Sequence, residues 1–172
     1  MIDFKIKVII KNSLIIFLLF FSFSTFSQDK KNEVGLIKTT IENYYNGYMN
    51  RDFLLLEKAF DPQNGTMKVP ILKDEKIIGF QNHFFKDLIQ KWSSREKLSD
   101  DVLKNCALTI LNIDIVEQKM ASAKINMKLD TITYIDILSL QKIAGDWKIL
   151  IRFLLLKSNH SFSKIAPISG LK

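Results

Sequence analysis

At 172 residues, with 47% hydrophobic and 25% charged residues, the chain is long enough for one domain with a real core and too apolar to be disordered. Its single cysteine, Cys106, excludes an intramolecular disulfide in any compartment. The formal net charge of +7 would suit nucleic acid or an anionic membrane. However, the lysines are spread through every segment and no basic run is interleaved with aromatics, which argues against a nucleic-acid partner.

The first 27 residues carry the parts of a secretory signal peptide. Lys5, Lys7 and Lys11 precede an apolar run, Leu14 to Phe21, and small residues follow up to Ser27. The run is shorter than the roughly 20 apolar residues that span a bilayer. Cleavage after Ser27 would place Thr25 and Ser27 at the small-residue positions, and no Cys stands at the junction for a lipid anchor. The expectation is an exported protein, periplasmic or secreted, that meets a membrane only if this segment stays uncleaved. Loss of three lysines and Asp3 lowers the formal charge from +7 to +5. The expected organisation is a signal peptide over 1–27, one domain over 28–157 and a polar tail over 158–172.

Glu33 to Arg51 has Val34, Ile37, Ile41, Tyr44, Tyr45 and Tyr48 at helical spacing. Asn46-Gly47 and Asn50 weaken its last turns. Asp52 is placed to cap a second helix, Phe53 to Phe60, with Leu54, Leu55 and Leu56 as its buried surface. Asp61-Pro62-Gln63-Asn64-Gly65 ends that helix. Thr66 to Leu72 and Lys76 to Gly79 read as short strands, with Pro70 marking an edge. A third helix over 82–93 puts Phe84, Phe85, Leu88, Ile89 and Trp92 on one face and His83 opposite, exposed. Ser94 to Asp101 reads as a polar loop.

Long strands follow. Leu103 to Glu117 is the first, turning at Gln118-Lys119. It opens with Cys106, whose apolar neighbours Ala107 and Leu108 suit a small buried residue more than a reactive thiol. Met120 to Asp130 alternates cleanly: Ala121, Ala123, Ile125, Met127 and Leu129 on one face; Ser122, Lys124, Asn126 and Lys128 on the other. Thr133 to Leu156 is two apolar runs about Ala144-Gly145-Asp146, a hairpin with a loop of about three residues. The expected fold is α+β: three N-terminal helices packed on a strongly curved antiparallel sheet of four long strands, plus a short two-strand segment. Such a curved sheet under a helical lid can enclose a conical, mainly apolar cavity.

The order of elements and several local patterns resemble the nuclear transport factor 2-like superfamily, and within it the putative lumazine-binding family. The matching residues are Tyr44-x-x-x-Tyr48-x-x-x-Asp52, Ala59-Phe60-Asp61-Pro62, Tyr134-x-Asp136-x-Leu138-x-Leu140 and Gly145-Asp-Trp147-Lys148-Ile149 followed by Arg152-Phe153. They span roughly Val34 to Leu156. The resemblance implies a cystatin-like cone of curved sheet and three helices, a central cavity and often a homodimer through the sheet. It says little about activity. Family members tend to have His where Asp61 stands and Lys where Arg152 stands; the second change keeps the cation but gives it a planar fork.

The polar residues of the strands are where chemistry would sit. Tyr134 and Asp136 share one face of their strand. On the partner strand Lys148, Leu150 and Arg152 share a face opposite Trp147, Ile149, Ile151 and Phe153. Asp136 and Arg152 therefore form either a polar spot on the cavity wall or a structural ion pair on the outer or dimer-facing side. Asn112 and Asp114 interrupt the alternation of Leu108, Ile110 and Val116, which makes Asp114 a second carboxylate candidate or a solvent-facing residue.

Tyr44, Tyr45 and Tyr48 serve either as core aromatics with a hydroxyl at the rim or as ligand contacts on the lid helix. His83 and His160 with one distant cysteine supply no metal site. No cofactor-binding or nucleophile motif is present.

The leading expectation is a domain that binds a small, partly apolar molecule through Tyr44, Tyr48, Trp92, Tyr134, Asp136 and Arg152. It needs no cofactor, and the sequence leans against an enzyme. One alternative is a cofactor-independent isomerase, dehydratase or cyclase with Asp136 or Asp114 as general base, an acid–base role that ketosteroid isomerase fills in the same superfamily. The other is a structural or dimeric envelope protein.

Overall fold

The structure is a computed structural model and describes residues 31–157. The expected signal segment with its cleavage point, and the tail over 158–172, lie outside the described residues. The described residues from Ile37 on belong to one compact unit, and the packing below is that unit's.

Helix α1 covers 31–50. It ends where Arg51 turns left-handed, with φ of 58°. The Asp52 N–H then donates back to the Gly47 carbonyl at 2.9 Å, closing the helix end. Gly47 does more than weaken the last turn: a Cβ there would come within 2.9 Å of the Leu56 backbone nitrogen. Glycine at 47 is what lets α2 (Phe53–Ala59) pack so closely on α1. Asp52 caps α2, its side chain accepting from the Leu55 N–H at 3.0 Å. Of the three leucines expected to be buried here, only Leu56 is fully so; Leu54 is 66% exposed. One turn of helix presents a single position to the core, and Leu56 holds it.

Six strands form one sheet in the order β2-β1-β6-β5-β4-β3. They are β1 (Thr66–Lys73), β2 (Lys76–Phe84), β3 (Ala107–Val116), β4 (Met120–Leu129), β5 (Ile132–Ile143) and β6 (Asp146–Lys157). The expected two-strand segment is β1 and β2, which pair antiparallel but are continuous with the four long strands. β1 joins β6 in parallel at Thr66–Lys68, so the sheet is mixed. Pro70 lies beyond that contact, where only β2 flanks β1, a local edge of the kind proline tolerates.

The described residues contain four helices. β2 runs on to Phe84, so α3 (Phe85–Ser93) begins three residues later than the apolar spacing suggests. Phe84 ends β2 in extended conformation and is 54% exposed instead of sharing the helix face. The supposed loop and the start of the first long strand contain α4 (Asp100–Lys104), capped by Ser99. The β5–β6 turn has two residues, not three: Ala144 and Gly145 both have positive φ, 51° and 96°. That backbone matches the right-handed twist of the flanking strands, and Asp146 joins β6 opposite Ile143.

The core lies between one sheet face and the helices. Ile37, Ile41 and Tyr44 of α1, Leu56 and Ala59 of α2, and Phe85, Leu88, Ile89 and Trp92 of α3 pack on Ala121, Ala123, Ile125, Met127, Leu138, Leu140, Trp147 and Ile149. Phe60 stacks between helices, its ring 5.0 Å from Tyr44 and 4.1 Å from Phe85. Two links fix the helical layer to β6: the Thr40 hydroxyl donates to the Trp147 carbonyl at 3.2 Å, and the Lys148 ammonium caps the end of α2 through the Glu57 and Lys58 carbonyls at 3.0 and 2.8 Å.

Candidate functional site

The site begins with two bulges. Strict alternation puts Arg152 with Lys148, facing away from Trp147 and Ile149. The pairing of β5 with β6 slips between Ser139 and Leu140, whose partners are Ile151 and Ile149. Leu150 is therefore an extra residue. It reverses the parity of β6, so that Trp147, Ile149, Arg152 and Leu154 all face inward while Phe153 is exposed. β3 has the same device. Its register slips between Ile110 and Asn112, making Leu111 the extra residue. Ile113 then pairs with Ala123 and Ile115 with Ala121 on the core face. Asn112 and Asp114 turn to the exposed face, Asp114 opposite Ser122, and Val116 is exposed as well.

The bulge brings Arg152 across from Leu138 and beside Met67, diagonal to Asp136. Asp136 is fully buried and Arg152 is 4% exposed. The guanidinium grips the carboxylate side-on: Nε donates to Oδ2 at 2.9 Å and Nη2 to Oδ1 at 3.3 Å. The Tyr44 hydroxyl donates to Oδ2 at 3.2 Å. Arg152 also stands over two rings, its Cζ 5.1 Å from the Tyr44 centroid and 5.8 Å from that of Trp92. Nη1 reaches the Met67 sulfur at 3.4 Å. Burial alone would favour the neutral form of Arg152, but the carboxylate beside it reverses that and locks the cation. Burial pushes the Tyr44 phenol well above its ordinary range, so it stays a proton donor to Asp136.

Three of the five guanidinium N–H groups are thus used among the described residues, leaving one on each terminal nitrogen. Arg152 is part of the lining of a pocket of about 110 Å³, with Tyr48, Met67, Leu88, Trp92, Arg95, Met127, Leu129, Tyr134 and Leu154. Asp136 lies behind Arg152 and does not line it. Its two oxygens already accept three hydrogen bonds. Its work is to hold the guanidinium in place.

Tyr48 and Tyr134 are half-buried on the pocket wall. Burial raises the pKa of Tyr134, which therefore presents an O–H. The Tyr48 hydroxyl accepts from Arg95 Nη1 at 3.0 Å, and the Tyr48 ring packs edge-on to Trp92 at 5.4 Å.

Of the six residues expected to bind a ligand, Tyr48, Trp92, Tyr134 and Arg152 line this pocket, while Tyr44 and Asp136 form the layer beneath it. Asp114 is far from it in the sheet, exposed on the other face. Arg95 and Met67 carry no local signal in the sequence; only the turn after α3 and the parallel β1–β6 contact deliver them. His83 is not the exposed helical residue expected. Because β2 extends past it, it pairs with Met67, half-buried, and its Nε2 is buried without a hydrogen-bond partner among the described residues. Burial, then the charge of Lys91, lowers its pKa. No group of three or more metal-ligating side chains converges among the described residues.

Comparison with known proteins gives the same architecture. The family model described as "Putative lumazine-binding" matches residues 32–153. The chain belongs to that family. Solved structures place the family's fold among the nuclear transport factor 2-like and cystatin-like proteins. A nuclear transport factor 2-like protein of unknown function from Shewanella baltica OS155 is 20% identical, with a TM-score of 0.60 over 74% of this chain and 95% of its own. One from Methylobacillus flagellatus KT is 23% identical, with a TM-score of 0.57 over 74% and 94%. A cystatin-like fold protein from Burkholderia xenovorans LB400 is 13% identical, with a TM-score of 0.55 over 74% and 93%. At these identities the likeness is one of fold. No curated protein matches the sequence.

Proposed function

We propose that this family member binds a small organic molecule in the pocket floored by Arg152. The observation that supports this most is a guanidinium fixed by Asp136 and Tyr44 that keeps N–H groups for a guest. Its charge is already matched by Asp136, so the natural guest atom is a neutral acceptor such as a carbonyl oxygen. Met67, Leu88, Met127, Leu129 and Leu154 supply the apolar wall. Binding fits better than proton transfer, because Asp136 is behind the arginine and already accepts three hydrogen bonds.

A screen of small carbonyl compounds by thermal shift tests this. Compounds that stabilise the parent should have no effect on Leu129→Trp, whose indole would fill the pocket from its wall. Stabilisation that survives Leu129→Trp would place binding elsewhere.

A second reading concerns the other sheet face. Phe80, Phe84, Ile137, Phe153 and Leu155 are all exposed there, and the Phe80 and Phe153 rings meet edge-on at 5.9 Å. We propose that this face pairs two copies of the chain. Sedimentation should show a dimer that Phe153→Lys dissociates; a monomeric parent would remove the reading. Export rests on the pattern of residues 1–27, and the expected mature N-terminus, Gln28, is checked by N-terminal sequencing of protein recovered from the cell envelope or medium.

A further inference from the structure

We infer that the pocket takes a small monocarboxylate, held by Arg95 with its short apolar tail against the wall of Met67, Leu88, Met127, Leu129 and Leu154. This rests on the pocket being a binding site and adds the chemical class of the guest. The lining carries two cations and no carboxylate. Arg152 is neutralised by Asp136 at 2.9 Å, and a second anion placed on it would meet that carboxylate's repulsion. Arg95 is different. Its bond among the described residues is to the Tyr48 hydroxyl, and no carboxylate among them lies within ion-pair distance of it.

The groups near Arg95 are donors too. The Tyr48 hydroxyl accepts from Arg95, and Tyr134 presents an O–H. A lining with these donors and one unmatched cation selects an acceptor-rich anion. A planar carboxylate fits a guanidinium fork and two hydroxyls. Size limits the rest of the molecule. A cavity of about 150 Å³ holds benzene, so the 110 Å³ here encloses a tail of about four or five heavy atoms.

The test compares 3-methylbutanoate with 3-methylbutanamide, the same shape without the charge, by the change in tryptophan fluorescence of the full chain, Trp92 being the tryptophan in the pocket lining. The carboxylate is expected to bind about fivefold to tenfold more tightly than the amide, the range for a half-exposed charge-assisted contact. Raising the salt should narrow the gap. Arg95→Gln should abolish the preference by weakening the carboxylate far more than the amide; an unchanged unfolding midpoint confirms that the variant is folded. In a straight-chain series, affinity should rise about fourfold per methylene until the tail fills the pocket. Equal binding of acid and amide would overturn the carboxylate while leaving the pocket in place. A preference that survives Arg95→Gln would overturn the role of Arg95. Absence of any signal from either probe would overturn the inference outright, and the Leu129→Trp screen would decide the pocket itself separately.

Discussion

Replacing Asp136 with Asn tests what holds the site together. The substitution changes almost no volume. It leaves Arg152, 4% exposed and locked in its charged form, without a counter-charge. Breaking a buried ion pair by removing one partner costs about 3–5 kcal/mol. The lower end applies, because the Asn carbonyl can still accept one guanidinium N–H or the Tyr44 hydroxyl in place of the three bonds now made. With a urea slope of about 1.5 kcal/mol/M, a loss of about 3 kcal/mol lowers the midpoint by about 2 M.

The assay is urea unfolding followed by tryptophan fluorescence. The companion variant, Asp136→Leu with Arg152→Met, removes both charges and should recover most of the loss, since an apolar pair of similar volume replaces a desolvated one. A midpoint for Asp136→Asn within about 0.3 M of the parent would refute the claim that the pair is buried and mutually dependent.

Tyr44→Phe removes one hydrogen bond to the same carboxylate but keeps the ring beside the guanidinium, so it should cost only about 1–1.5 kcal/mol in the same urea assay. Deleting Leu150 would restore even pairing and turn the arginine to the outer face. The near-UV circular dichroism of a packed core should then be lost, whereas Leu150→Ala, which keeps the bulge, should cost about 1–2 kcal/mol and retain that signal. Asp61 predicts a pH effect. Burial acts to raise its pKa, but the Asn64 side chain, the Gln63 and Asn64 N–H groups and the Lys148 charge together hold it below the usual carboxylate value. A depressed folded pKa gives stability that is present above the unfolded value of about 3.9 and lost as pH falls through the folded one. Urea midpoints of Asp61→Asn should therefore change less than the parent's below about pH 4.

Much of the fold was legible wherever one rule governed a whole element. β4 alternates as its residues say, because every second side chain meets the core. Asp52 caps α2 through a local bond that spacing alone determines. The misassigned faces share one cause. A bulge adds a single residue, and both extra residues, Leu111 and Leu150, are leucines within apolar runs, so nothing in composition marks the change of parity. That slip decides whether Arg152 faces the pocket or the exterior. Phe84 and His83 were misplaced because helical and strand spacing compete near a boundary, and pairing of Thr66–Lys68 with Asn82–Phe84 won. Arg95 and Met67 could not be tied to Arg152 from spacing, since one comes from the turn after α3 and the other from a parallel contact across more than half the described chain.

The most direct test of the site follows the Arg152 side-chain nitrogens by ¹⁵N nuclear magnetic resonance. In the free protein its Nε–H should be visible and slow to exchange at neutral pH, as expected for a buried, ion-paired donor. On saturation with a pocket ligand found in the thermal-shift screen, the terminal nitrogens should shift while the Nε bond to Asp136 stays. Arg152 signals that do not move while the ligand binds would contradict a pocket floored by this arginine.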